Sequence, residues 1–112
     1  MRDMTDAEID ALTGRELDAA VCRHIWGTNP ETDISAWSTK EQPMLDLLAR
    51  MEAQGWREIT LYRYERGESM FWEAEFQQHE GALSYAAVAR TLPEAVCRAA
   101  IKAALSERGE KR

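Results

Sequence analysis

The chain has 112 residues, 45% of them hydrophobic and 30% charged, and a net charge of −6. That length supports one domain, residues 1–112, with an ordinary core and no covalent staples, and no apolar run approaches the roughly 20 residues that cross a bilayer. Residues 1–80 carry 17 acids against 8 bases and residues 81–112 carry 3 against 6, a balance of −9 and then +3. A field of that sign repels nucleic-acid phosphate and favours basic partners, although an acidic surface also serves solubility alone.

The start, Met1-Arg-Asp-Met-Thr-Asp6, is polar with no apolar stretch behind it, which predicts a cytoplasmic protein without a membrane association. Thr5-Asp-Ala-Glu8 and Thr13-Gly-Arg-Glu16 both have capping-box spacing. They predict a short helical turn and then a helix from about Gly14 to Ile25 that Gly27 ends. Leu17, Ala20, Val21 and His24 line one face of it. Thr28 to Pro43 is rich in breakers and reads as a long loop with a helical turn near Asp33–Trp37. Met44, Leu47, Leu48 and Met51 mark a second helix that stops at Gly55, and Pro43 fits its first turn.

Trp56 to Tyr64 is rich in strand formers, and Glu65-Arg-Gly-Glu68 makes the turn to a second strand. In Met70–Gln77 the residues Met70, Trp72, Ala74 and Phe76 alternate with Phe71, Glu73, Glu75 and Gln77, as in a half-buried antiparallel strand. A turn at Gly81 and a strand from Leu83 to Arg90 follow. Thr91 through Leu105 is an Ala-rich helix whose apolar residues Val96, Cys97, Ala100, Ile101, Ala104 and Leu105 dock on a sheet. Glu94, Arg98 and Lys102 share its opposite face at i, i+4. The fold class expected is α+β, a three-stranded antiparallel sheet with helices on its faces, in the order α-α-β-β-β-α. The second sheet face presents Tyr62, Tyr64, Phe71, Ala86 and Val88 beside Glu73 and Glu75. That is too apolar to be left wholly wet, so the 14–25 helix or the long loop is expected to cover part of it.

The segments Leu12-Thr-Gly-Arg-Glu-Leu-Asp-Ala-Ala-Val21, Thr32-Asp-Ile-Ser-Ala-Trp37, Trp72-Glu-Ala-Glu-Phe76 and Thr91 through Leu105 occur in one order along nearly the whole chain. In this the chain resembles the phage ABA sandwich domain, a family of small phage and prophage proteins. The resemblance implies an α/β sandwich of mobile-element origin in a host cytoplasm, and brings no reaction or catalytic residue with it. Ser38-Thr-Lys-Glu-Gln-Pro43 departs from the family pattern, which runs from the Thr-Asp-Ile segment straight into the next helix. Met44 to Leu105 also has the element order of a double-stranded-RNA-binding domain, which grips phosphate with lysines at the start of its last helix. Here that place reads Thr91-Leu-Pro-Glu-Ala-Val, with an acid instead, which argues against direct nucleic-acid binding.

Glu73 and Glu75 form a carboxylate pair, but a solvated sheet face does not split their environments as acid–base catalysis requires, and Arg63 or Arg90 is expected to neutralise them. Adding His79 makes a Glu-x-Glu-x3-His cluster, short by one of a usual metal ligand set. Cys22 and Cys97 read as buried free thiols, and Cys22 and His24 are i, i+2 on a helix and so diverge. No cofactor or metal is expected. Of the tryptophans, Trp72 reads as core and Trp56 as core or sheet-edge, whereas Trp26 and Trp37 are candidates for exposure as binding anchors, with folding back over the sheet as the alternative.

The reading these features give is a non-enzymatic, phage-derived protein that binds a host protein or nucleoprotein complex, in an anti-defence role such as that of an anti-CRISPR. Its expected binding residues are Trp26, Asp33, Trp37, Tyr62, Tyr64, Glu65, Glu68, Glu73 and Glu75. Two alternatives stand beside it: an assembly module that forms a homodimer through the Tyr62, Tyr64 and Phe71 face, and a metal-dependent accessory enzyme using Glu73, Glu75 and His79.

Overall fold

The structure is a computed structural model that describes residues 4–79 and 81–109, with side chains to residue 106. Its elements are α1 (Asp6–Asp10), α2 (Gly14–Val21) with a π-helical extension (Cys22–Trp26), α3 (Pro30–Asp33), α4 (Glu41–Ala53), β1 (Glu58–Arg66), β2 (Ser69–Gln77), β3 (Ser84–Ala89) and α5 (Leu92–Gly109). The α+β class and the three-stranded antiparallel sheet, in the order β1-β2-β3, are as the sequence pattern predicts.

The first helix uses the capping box foreseen for it: Glu8 N–H donates to Thr5 Oγ1 at 3.2 Å and Thr5 N–H donates to Glu8 Oε1 at 2.9 Å. The second box does not form. Thr13 makes no side-chain cap bond, because the chain enters α2 through Gly14 at φ +50. Past Val21 the helix widens to π-geometry, and it ends on Gly27 at φ +68, where Thr28 N–H reaches back to Cys22 O at 3.2 Å. Only glycine takes that backbone at little cost.

The long loop is more structured than its composition suggests. Its helical turn lies at Pro30–Asp33, earlier than expected, with Asn29 Oδ1 capping the Glu31 N–H at 3.0 Å. The helix that follows begins at Glu41, ahead of Pro43, which falls within the first turn where its missing N–H loses no bond. Between them the buried carboxylate of Asp18 accepts the Ser38 N–H at 2.8 Å, and Ser38 Oγ donates to the Gly14 carbonyl at 3.3 Å. Together these bonds tie the loop to the start of α2.

The sheet is registered so that Tyr62 faces Glu73 and Tyr64 faces Phe71 across β1 and β2, while Val88 and Ala86 of β3 face Glu73 and Glu75. The turn between β1 and β2 is two residues, Gly67-Glu68, with φ +60 at Gly67 and no positive φ at Glu68. That is the dihedral pattern of a type II′ turn, which matches the twist of a hairpin.

One face of the sheet, with Ala74, Phe76, Ala87 and Ala89, is sealed by α5. This helix is buried on nearly every side: Ala95, Val96, Cys97, Ala99, Ala100, Ile101 and Ala103 are all fully buried. The α1, α2 and α4 helices and the π-helical extension gather round α5 instead of crossing to the far side of the sheet. Among the described residues, covering helices on both faces are therefore not found. Trp56 is also buried, edge-on to Tyr85 at 5.8 Å, and its indole N–H has no partner among the described residues.

The charged stripe of α5 is not a solvent face. Arg98 pairs with Glu94 at 2.8 Å and donates to the carbonyls of Leu12 and Val88, at 3.0 and 3.1 Å. Lys102 pairs with Asp10 at 2.9 Å and donates to the Ala86 carbonyl at 3.2 Å. Two cations thus close the outer edge of β3 and fasten the segment from Asp10 to Leu12 to it. Edge strands are commonly blunted in this way. No helix among the described residues is long and apolar enough to cross a membrane.

Candidate functional site

Because the helices stay on one side, the second face of the sheet is open. Period-two alternation puts Tyr62 and Tyr64 of β1, Phe71, Glu73 and Glu75 of β2, and Ala86 and Val88 of β3 on it together. Tyr62, Tyr64 and Val88 are 41%, 43% and 48% exposed, a density of apolar surface uncommon on a wet sheet face. The two tyrosine rings stack at 6.2 Å. Tyr64, Arg66, Phe71, Glu73 and Val88 line an open hollow of about 400 Å³.

The polar groups in it are arranged, not scattered. Tyr64 Oη donates to Glu73 Oε1 at 3.0 Å, a diagonal contact across β1 and β2. That hydrogen bond to the carboxylate, with lesser help from desolvation and the surrounding negative charge, raises the Tyr64 pKa above the ordinary 10.0. The face therefore offers neutral aromatic rings and carboxylate acceptors side by side. This combination suits a cationic side chain, which can lie against a ring while its charge is met by an acid.

The expected binding residues divide into two groups. Tyr62, Tyr64, Glu73 and Glu75 meet on the open face. Glu65 lies on the other side of β1, where it pairs with Arg63 at 3.3 Å, and Glu68 is exposed in the hairpin turn. Arg63 is opposite Trp72 and also contacts Met70 Sδ, so it is not the counter-charge of Glu73 and Glu75; the cation lining the hollow is Arg66. Strand parity could have found Arg66, since the two-residue turn places it on the face of Tyr62 and Tyr64.

The tryptophan anchors are corrected by the structure. Trp37 is 4% exposed and Trp26 is half-buried, the two rings stacked at 4.8 Å with the Arg50 guanidinium over Trp26 at 5.7 Å. Both fold back into the helical side, away from the open face. Asp33 is exposed at the end of α3, which packs on α2 and its extension, so it too lies apart from the sheet residues. Met70, on the strand face of Trp72, Ala74 and Phe76, is 42% exposed beside the hairpin turn.

Glu73, Glu75 and His79 are not gathered into a metal-holding group, and among the described residues no three His, Cys, Asp or Glu side chains are. Cys22 and Cys97 are free and buried, and burial pushes the Cys97 thiol pKa far up. No family model matches the chain, and neither does any curated protein or solved structure.

Proposed function

We propose that this protein is a non-enzymatic binding protein whose open sheet face takes a basic, partly apolar segment of another protein. The observation that carries the reading is the conjunction on one uncovered face of Tyr62, Tyr64, Phe71 and Val88 with the carboxylates of Glu73 and Glu75. Aromatic contact supplies the desolvated area and the acids supply the sign preference. The excess of 17 acids over 8 bases in residues 1–80 extends that preference across the surface. On the resemblance to phage ABA sandwich proteins, the partner is a host protein or nucleoprotein complex in the cytoplasm of an infected cell. The role is anti-defence, with the acidic face occupying a groove otherwise used for nucleic acid.

The test is affinity capture from host lysate with the tagged protein, washed at low and physiological salt, beside a variant carrying Tyr64→Ala and Glu75→Lys. A stoichiometric partner held by the wild type and lost from the variant is expected. A partner retained equally by both would place the binding surface elsewhere, and no partner at either salt would remove the reading.

A further inference from the structure

We propose that the free edge of β1 pairs antiparallel with the same edge of a second copy of this chain, joining two three-stranded sheets into one of six strands. The two edges of the sheet are treated differently. On β3 the carbonyls of Ala86 and Val88 are taken by Lys102 and Arg98, which closes that edge. The β1 strand has β2 on one side and, among the described residues, no strand on the other, and seven of its nine residues are exposed. It contains neither proline nor glycine, and among the described residues no helix packs along it. A long uninterrupted edge of this kind is a template for another strand.

The pattern of backbone bonds shows what it offers. Ala86 and Val88 turn their carbonyls off the sheet, so Glu75 and Glu73 opposite them turn theirs toward β1. Their β1 partners are Thr60 and Tyr62. The intervening Ile59, Leu61, Arg63 and Glu65 therefore direct N–H and C=O groups to the empty edge.

The strand is self-complementary about Tyr62. A two-fold axis through it, perpendicular to the sheet, uses all nine residues, Glu58 to Arg66. It sets Glu58 opposite Arg66 of the second copy at both ends, Tyr62 beside Tyr62, and Thr60 beside Tyr64. On the helical side it sets Leu61, 40% exposed, beside the stem of Arg63. Centring on Arg63 would oppose two guanidiniums, and centring on Leu61 would leave Arg66 beyond the end of the partner strand. Opposite-charge cross-strand pairs are favourable and like pairs are not. The Tyr62-centred register also places both open faces on the same side, so the binding face of one copy continues into that of the other.

Sedimentation equilibrium up to about 1 mM chain is expected to show a monomer–dimer equilibrium. Glu58→Arg or Arg66→Glu alone is expected to raise the dissociation constant about tenfold, since each variant spoils two pairs per dimer, and the double variant to restore it. These side chains are exposed, so the fold does not depend on them. Register is read by oxidising single-cysteine variants. Tyr62→Cys is expected to give a disulfide-linked dimer because that pair falls at about 4.5–5.5 Å between Cα atoms, and Leu61→Cys is not. The native Cys22 and Cys97 are fully buried and remain silent. A monomer at all concentrations, a dimer indifferent to the charge reversals, or a cross-link through position 61 and not 62 would each overturn the proposal.

Discussion

Tyr64 and Glu73 are the pair by which the open face can be read directly. Their 3.0 Å bond holds the phenol in its neutral form, so the phenolate forms above the ordinary value of 10.0. Spectrophotometric titration is expected to show Tyr64 ionising late, and Glu73→Gln to return it toward the ordinary range. Because folding raises this pKa, the contribution to stability is fully present below the unfolded value and is lost as pH climbs through the folded one. Asp18 is a second decisive residue, since its buried carboxylate is the acceptor for the Ser38 N–H. Asp18→Ala leaves that donor unmet and is expected to destabilise by about 1–3 kcal/mol in urea unfolding, with faster proteolysis of the 28–43 segment. Neither role was visible beforehand. A diagonal contact depends on register, and a carboxylate within a helical pattern looks the same whether it meets water or a loop backbone. The burial of Trp37 is illegible for a related reason: a tryptophan in an irregular segment has no periodicity to say which way it points.

Among the elements, α5 does most to hold the fold together, since it touches β2, β3 and the helices around it. Its apolar spacing was plain in the sequence, and so was the i, i+4 row of Glu94, Arg98 and Lys102. What that row meets was not, because a charged stripe that closes a strand edge has the same spacing as one that faces solvent. Arg98→Met is expected to cost about 2–4 kcal/mol, since it strands Glu94 and frees two carbonyls that Arg98 now serves. Lys102→Met added to it exposes the β3 edge, and light scattering on refolding should report aggregation that the single surface variant Glu65→Gln does not show. The β1–β2 hairpin rests on Gly67 at φ +60, and Gly67→Ala should destabilise by about 1 kcal/mol through backbone strain alone, because nothing lies within 4 Å of the added methyl. The strands and their in–out parity were legible because alternation is a local property. The helices' choice of one sheet face was not, since it depends on how they meet one another.

For the whole molecule, the central consequence is an asymmetric sandwich: one sheet face buried under α5, the other left to solvent with its tyrosines and acids in place. The Arg98–Glu94 and Lys102–Asp10 pairs are each neutral, so the net charge of −6 belongs to the rest of the chain. Parity locates this face in the sequence, its apolar residues predict a cover, and the lack of one among the described residues is what leaves it free for the binding proposed above. Carboxyl-group footprinting of the protein with and without the captured partner tests this most directly. Labelling of Glu73 and Glu75 is expected to fall on binding while that of Glu31 and Asp33, on the helical side, is unchanged. Protection at Glu31 and Asp33 with Glu73 and Glu75 still labelled would contradict the account and move the interface to the helices.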